Sequence, residues 1–209
     1  MEFSRSVGED EIIKMNLALA ERSDFTAADM DALGDDIRAE LIDGQIFYFA
    51  SPKPVHQMFT GEIYRMLANY IEKKGGDCEV FVAPMDVYLN CDDRTRVEPD
   101  VTVFCDREQI HEDACYGPPD LAVEVISKST RKRDYGIKML KYRTAGVKEY
   151  WIVEPEQRNV TVYWFEDETL NCQYSFDEEI GFHLFPDLKV TMGELVKTGR
   201  RGGSQGRQM

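Results

Sequence analysis

The stretch "DLAVEVISKST" at residues 120–130 decides the fold class of this chain. Alternation typical of a β-strand points two apolar sets to opposite faces: Leu121, Val123 and Val125 to one, Ala122 and Ile126 to the other. Glu124 lies on the second face, between its two apolar residues. An ionised carboxylate in such a place is costly unless something pairs with it. The strand therefore predicts a specific partner for Glu124.

The segment after this strand predicts a crossover to a parallel neighbour. Ser129 or Thr130 can cap a helix that runs from 131 to 145 and stops at Gly146. "KEYWIVEP", residues 148–155, then reads as a second buried strand. A helix between two such strands is typical of parallel strands joined by a right-handed connection.

The preceding segments complete an α/β fold class. Apolar residues recur at helical spacing over 57–74, and "CEVFVAPMDVYLN" (78–90) and "RVEPDVTVFCD" (96–106) each read as one strand, followed by a loop over 107–119. The core order is then helix, strand, strand, strand, helix, strand. We also expect an N-terminal β-hairpin turning at Asp43-Gly44 and additional C-terminal strands within 159–176.

Length and composition indicate one domain without a membrane span. The 209 residues divide into an N-terminal extension over 1–22 with the spacing of a short amphipathic helix, a domain over 23–198, and a Gly- and Arg-rich tail over 199–209 that we expect to be disordered. No apolar run reaches the ~18 residues of a membrane helix. Five cysteines without a CxxC motif, and the lack of a signal sequence, predict reduced thiols in a cytoplasmic protein.

The formal net charge of −14 argues against broad, nonspecific adhesion to nucleic acid, because phosphates repel an acidic surface. It leaves room for a local basic cleft. Seven cations fall close together after the opening strand: Lys128, Arg131, Lys132, Arg133, Lys138, Lys141 and Arg143. A solvated helix face and a functional surface are equally good interpretations of this run.

A second carboxylate repeats the problem that Glu124 poses. Asp100 follows Pro99 at the start of the apolar run "DVTVF". Two carboxylates on neighbouring strands can converge, and like charges so close stay ionised only when a cation lies between them. A hard divalent ion with oxygen ligands, such as Mg²⁺, meets that requirement. The other interpretation is a structural carboxylate pair neutralised by Lys138.

The helix after the opening strand supplies that lysine. Asp134, Lys138 and Tyr142 stand four residues apart, so they share one helix face. If this face turns toward the strand ends, Lys138 reaches the carboxylates, where it can orient water or stabilise negative charge. Lys141, one turn further on, is the rival candidate. A plain ion pair of Lys138 with Asp134 or Glu124 remains the alternative.

Other residue clusters indicate no chemistry. Cys105, His111 and Cys115 form C-x5-H-x3-C, which lacks close zinc-ligand spacing and a fourth ligand. Asp86, in "PMDVYL", is a weaker acidic candidate. Four aromatic residues are expected to pack within strands rather than to stack on bases: Tyr150, Trp151, Tyr163 and Trp164.

The order of several motifs resembles that of a known family. "EPD" (98–100), "VEVISKST" (123–130), "RDYGIKMLKY" (133–142) and "AGVKEYWIVEP" (145–155), preceded by "AELIDGQIF", "PVHQ" and "VAPMDVYL", resemble the Uma-two endonuclease-like family. That family belongs to the restriction-endonuclease-like PD-(D/E)XK superfamily. The resemblance covers roughly residues 25–190 and implies a restriction-endonuclease-like core with a metal near the middle of the sheet.

The resemblance also implies roles for particular residues. Asp100 matches the aspartate of the PD motif and Glu124 the acidic residue of (D/E)XK, so these two, with the backbone carbonyl of Val125, would hold Mg²⁺ or Mn²⁺. The lysine of that motif would be residue 126, which here is Ile126, and Lys138 matches a lysine displaced to the following helix. Further matches are Glu40 as a ligand or its support, and His56, Asp134, Tyr142 and Lys141 as supporting or substrate-contacting residues.

The activity so implied is metal-dependent hydrolysis of DNA phosphodiester bonds by an endonuclease. We expect a homodimer, because two symmetric sites are the simplest way to cut both strands of a duplex. A catalytically silent nucleic-acid- or protein-binding module on the same fold is the first alternative. A metal hydrolase acting on a smaller phosphoester is the second.

Overall fold

The computed structural model describes residues 22–34, 37–128 and 130–200, with side chains up to 197. The elements are, in chain order, α1 (Ala27–Asp31), β1 (Ala39–Ile42), β2 (Gln45–Tyr48), α2 (Pro54–Lys74), β3 (Glu79–Val82), β4 (Val87–Tyr88), β5 (Arg96–Val97), β6 (Val101–Phe104), β7 (Cys115–Tyr116), β8 (Leu121–Val125), α3 (131–145), β9 (Glu149–Glu154), β10 (Asn159–Trp164), β11 (Cys172–Ser175), β12 (Ile180–Gly181), β13 (Lys189–Val190) and α4 (Met192–Arg200). The predicted helix within 1–22 lies outside the described residues except at residue 22. Helix α4 includes residues 199 and 200, the first two residues of the predicted tail.

The central sheet has the strand order β11-β10-β9-β8-β6-β3. β8 and β9 run parallel, joined through α3, whereas β6 pairs antiparallel with both β8 and β3. The predicted order of helix, three strands, helix and strand is therefore confirmed. The C-terminal strands β10 and β11 extend the same sheet beyond β9, also as predicted.

The two faces of β8 are buried in separate cores, as the alternation predicted. Leu121, Val123 and Val125 belong to a core that includes Ile63 and Leu67 of α2, all at 2% exposure or less. Burying an aliphatic side chain of this size stabilises the fold by roughly 1.5–3 kcal/mol. The opposite face, with Ala122 and Ile126, packs against α3 and the hairpin strand β1.

Two predicted strands are each divided between two sheets, which corrects the sequence interpretation. A cis bond at Ala83-Pro84 separates β3 from β4, and Pro99 separates β5 from β6. Proline has no N–H to donate to a sheet, so it ends pairing. The outer halves form a second sheet with the hairpin, in the order β2-β1-β5-β4-β7. The predicted loop over 107–119 contains β7, which pairs parallel with β4.

The hairpin and the crossover helix follow their sequence signals. Asp43 and Gly44 have φ values of 52° and 76°, which suit the two-residue turn of a hairpin. Helix α3 ends at Gly146 with φ 103°, as predicted. Its middle is a π-helical turn over Asp134–Lys138, flanked by α-helical Arg131–Arg133 and Met139–Ala145. Such turns are rare and occur frequently at functional sites.

The prediction of five reduced thiols is wrong for two of them. Cys78 and Cys105 form a disulfide with an S–S distance of 2.02 Å. The register of β3 and β6 pairs Glu79 with Phe104, so the two cysteines lie opposite each other just beyond that pair. The two cysteines are 27 residues apart in sequence, so the spacing alone does not indicate that they pair. Within the described ranges, no helix is both long and apolar enough to cross a membrane.

Candidate active site

A cavity of about 260 Å³ opens where the two sheets diverge at Pro99, between the hairpin, the start of α2 and helix α3. Seven of the nine residues predicted for the site line it: Glu40, His56, Asp100, Glu124, Val125, Asp134 and Lys138. They come from β1, α2, the bend before β6, β8 and α3. The fold therefore collects residues that are up to 98 positions apart in the sequence.

The partner of Glu124 is the ammonium group of Lys138. Their ion pair is buried, with side-chain exposures of 8% and 2%. The hydroxyl of Tyr142 donates a second hydrogen bond to Glu124 Oε1 at 2.8 Å. Both partners come from the helix face predicted by the four-residue spacing, so α3 fixes the orientation of this carboxylate.

Lys138 also binds a carboxylate of the hairpin. Its Nζ donates to Glu40 Oε1 at 2.7 Å, and the same oxygen accepts the backbone N–H of Glu98 at 3.0 Å. The second oxygen of Glu40 is buried and accepts no hydrogen bond from the described residues, and Arg133 Nε lies 3.7 Å from it. Glu40 therefore links β1 to the bend before β6 and to α3.

Asp100 joins the ends of β6 and β8. Its Oδ2 accepts the backbone N–H of Val125 at 2.7 Å and lies 3.1 Å from His56 Nε2. His56 is near the start of α2, where its Nδ1 lies 3.4 Å from the hydroxyl of Thr60. The side chain of Asp100 is thus held at the cavity wall by β8 and α2.

Acidic side chains outnumber basic ones in the cavity wall. Six carboxylates line it against four permanent cations, an excess of two carboxylates: Glu40, Glu98, Asp100, Glu124, Asp134 and Glu156 against Arg38, Lys53, Arg133 and Lys138. Burial raises the pKa of Glu124 well above its usual range, and the charges of Asp100 and Asp134 add to this effect. Burial likewise raises the pKa of Asp134.

The cations oppose this effect at Glu40. Burial tends to raise the pKa of Glu40, but the charges of Lys138 and Arg133 outweigh it and lower that pKa. Burial tends to lower the pKa of Lys138, yet Glu124 and Glu40 hold it above its ordinary value. Lys138 and Glu40 are therefore both charged, whereas burial and the nearby charge of Asp100 make Glu124 hold its proton more tightly than an isolated carboxyl group does.

The donor set fits a hard divalent cation. Asp100 Oδ1 and Glu124 Oε2 accept no hydrogen bond from any residue in the described ranges, so each carboxylate keeps a free oxygen. No three His, Cys, Asp or Glu side chains in that part of the chain are grouped as a complete metal site. Mg²⁺ is commonly held by one or two carboxylates and keeps several waters, so two carboxylates suffice for it.

Two of the nine predicted residues do not line the cavity. Tyr142 lies behind Glu124, to which it donates. Lys141 reaches the hairpin turn instead, with its Nζ 2.5 Å from Asp43 Oδ1. The weaker candidate Asp86 is also elsewhere, 3.7 Å from Arg96 Nε on β5.

The cavity contains residues that the sequence did not single out. Arg133, Arg38 and Glu98 all line it. Arg133 belongs to the basic run, and its position next to Asp134 was the available signal. Four of its seven cations form ion pairs, Lys128–Glu156 at the edge of the cavity and the others outside it: Arg131–Glu154, Lys141–Asp43 and Arg143–Glu168. The run is therefore mostly a solvated face, with Arg133 and Lys138 turned inward.

Comparison with known proteins agrees with this architecture. The family described as "Uma2: Putative restriction endonuclease" matches residues 23–193. The uncharacterized protein slr1290 of Synechocystis sp. (strain ATCC 27184 / PCC 6803 / Kazusa) is 26% identical over 130 residues, which are 62% of this chain and 67% of that protein. The crystal structure of a putative nuclease belonging to DUF820 from Anabaena variabilis ATCC 29413 has a TM-score of 0.67 at 18% identity, covering 83% of this chain and 98% of the other. The predicted resemblance and the restriction-endonuclease-like fold class are confirmed.

Proposed function

Because this chain belongs to the Uma2 family of restriction-endonuclease-like proteins, we propose that it is a nuclease that hydrolyses DNA phosphodiester bonds with the help of Mg²⁺ or Mn²⁺. The observation that carries the proposal is the excess of two carboxylates over cations in a cavity where Asp100 and Glu124 each keep a free oxygen. A divalent cation between Asp100 and Glu124 would favour the ionised form of both. When bound, such an ion neutralises charge on a phosphodiester and makes water a stronger nucleophile at neutral pH.

The residues of the chain have separate tasks in this proposal. Asp100 and Glu124 would hold the ion, with the carbonyl of Val125 as a further oxygen ligand. Lys138 positions Glu124 and also presents a donor of its own, because an ammonium group has three and only Glu40 and Glu124 engage it among the described residues. That donor can orient water or a phosphate oxygen. Glu40 keeps the lysine in place.

A catalytically silent binding module is the second candidate, and one observation favours it. Lys138 already pairs with Glu124 and Glu40, so these two carboxylates have a cation from the chain itself. The free oxygens of Asp100 and Glu124 and the excess of carboxylates in the cavity wall favour the nuclease. A metal hydrolase acting on a smaller phosphoester would use the same groups.

Plasmid nicking with Mg²⁺ or Mn²⁺ separates these candidates. We expect the wild type to cleave and Asp100→Asn and Glu124→Gln to lose at least about a hundredfold in rate, in line with removal of a group that acts on the transition state. Asp113→Asn, an exposed carboxylate outside the cavity, is the matched control. Cleavage that survives both cavity substitutions would refute the site. Turnover of a model diester without polymer cleavage would indicate the small-substrate hydrolase.

Cleavage of both strands of a duplex requires two cuts, and we propose that two copies of this chain make them as a homodimer. Sedimentation analysis with and without duplex DNA measures this directly. A monomer in both conditions that still linearises plasmid would contradict the dimer and leave the hydrolytic site unaffected.

A further inference from the structure

Arg133 is held in the cavity wall by aromatic rings. Its side chain is 14% exposed, and its guanidinium carbon lies 5.6 Å from the ring centroid of Phe49 and 6.0 Å from that of Phe47. The nearest carboxylate oxygens, on Glu40 and Asp134, are 3.7 and 3.9 Å from its Nε, too far for hydrogen bonds. A cation–π contact of this kind attracts the guanidinium to the rings without using its N–H donors.

The donors of Arg133 have no acceptor in the described part of the chain. Its Nε is buried without a hydrogen-bond partner, and neither terminal nitrogen donates to any described residue. A guanidinium carries five N–H donors and cannot accept. Buried donors without partners are costly, so such a group in a cavity indicates a ligand with anionic oxygens. Of the two arginines in the cavity wall, Arg38 is already engaged, donating to Glu98 at 2.9 Å.

We propose that Arg133 is the phosphate-binding residue of this cavity, whose open fork takes two oxygens of a nucleic-acid backbone phosphate. The inference rests on the proposed nuclease function and specifies the group that the site recognises. Paired anionic oxygens match the planar guanidinium fork. A phosphate suits this place because Mg²⁺ held by one or two carboxylates commonly shares substrate phosphates, and Asp100 and Glu124 line the same cavity.

The test is the salt dependence of binding to a short labelled duplex, measured by fluorescence anisotropy with Ca²⁺ between about 50 and 200 mM salt. Each phosphate contact contributes about 0.9 to the slope of log affinity against log salt. We expect Arg133→Gln to weaken binding by about tenfold or more and to reduce the magnitude of the slope by about 0.9. Arg133→Lys keeps the charge but not the fork, so it should keep the slope and weaken binding.

The control is Arg143→Gln, which removes a cation at the other end of α3 that pairs with Glu168 outside the cavity. It should bind as the wild type does. Wild-type affinity and slope in Arg133→Gln would overturn the proposal, and if that variant does not fold, wild-type affinity in Arg133→Lys would do so. Wild-type binding that depends on Arg133 without any hydrolysis would support the phosphate site and refute the nuclease. A wild type that binds no nucleic acid would refute both.

Discussion

Lys138 Nζ lies 2.7 Å from Glu40 Oε1, and this ion pair connects two residues that are 98 positions apart. Both side chains are 2% exposed. The lysine also contacts Glu124, so a single ammonium group connects β1, β8 and α3 at the cavity. The arrangement of the candidate site therefore depends on the charge of Lys138, which lies on α3, whereas Glu40 lies on β1 and Glu124 on β8.

Removing that charge should destabilise the fold strongly. Lys138→Met leaves Glu40 and Glu124 buried without their cation, and breaking a buried pair by removing one partner costs about 3–5 kcal/mol. Urea denaturation measures the loss. Glu40→Gln combined with Lys138→Met should cost less than the sum of the two single changes, because the combination removes one of the unpaired charges. Additive costs would show that the two residues are not coupled.

Tyr142 should matter for activity more than its neighbour does. Tyr142→Phe removes the donor 2.8 Å from Glu124 Oε1, whereas Tyr150→Phe removes a donor to the backbone carbonyl of Asp134 at 3.2 Å. We expect stability losses of about 1.5–3 kcal/mol for the first and about 0.5–1.5 kcal/mol for the second. Only Tyr142→Phe should slow cleavage, because of these two tyrosines only Tyr142 donates to Glu124. Equal rates in the two variants would contradict an orienting role.

Two glycine substitutions should have opposite effects on stability. Gly44, with φ 76°, has no room for a side chain, since a Cβ would lie 2.6 Å from the carbonyl oxygen of Ser23 and 2.5 Å from an Arg94 nitrogen. We expect Gly44→Ala to cost about 1–3 kcal/mol. Gly61 lies within α2 with nothing near its Cβ position, so Gly61→Ala should stabilise by up to about 1 kcal/mol. Thermal unfolding measures both changes, and the same sign for both would contradict the structure.

A buried carboxylate away from the cavity predicts a pH effect on stability. Glu149 is fully buried and accepts hydrogen bonds from Trp151 Nε1 and from the backbone N–H groups of His183 and Leu184. Burial nevertheless raises the pKa of Glu149 above its ordinary 4.5. The folded chain therefore keeps this proton to a higher pH than the unfolded chain, and stability is lost as pH rises above 4.5.

The comparison that isolates this effect is with Glu149→Gln. The free energy of unfolding of the wild type, relative to that variant, should be constant below pH 4.5 and fall as pH rises through the raised pKa. Chemical denaturation over a pH series measures the difference. A difference that does not change with pH would show that Glu149 is not protonated at higher pH in the folded chain.

Local patterns were sufficient to predict most of the core. The alternation in β8, the helical spacing of α2 and the stop at Gly146 each follow from short stretches of sequence, and the structure confirms all three. The motif order then identified Asp100, Glu124 and Lys138, which the structure brings to one cavity. Periodicity and spacing succeed here because they are properties of single elements.

Features that depend on contacts between distant segments were not predictable in the same way. The division of two strands at Pro84 and Pro99 requires knowledge of which sheet each half joins, and the Cys78–Cys105 disulfide requires the register of β3 with β6. The inward orientation of the Arg133 side chain was not predictable for the same reason, because it also depends on a contact between distant segments. Its sequence context is a basic run, and its place in the cavity wall near the rings of Phe47 and Phe49 depends on the folded position of the hairpin.

The most direct test of the account is a crystal structure of the wild type soaked with Mn²⁺, with the ion located by its anomalous signal. The account predicts one peak in the cavity, bound by an oxygen of Asp100 and an oxygen of Glu124, and no peak there in Glu124→Gln crystals. A wild-type cavity without a peak, or an ion bound away from these two carboxylates, would contradict the proposed metal site and the nuclease function that depends on it.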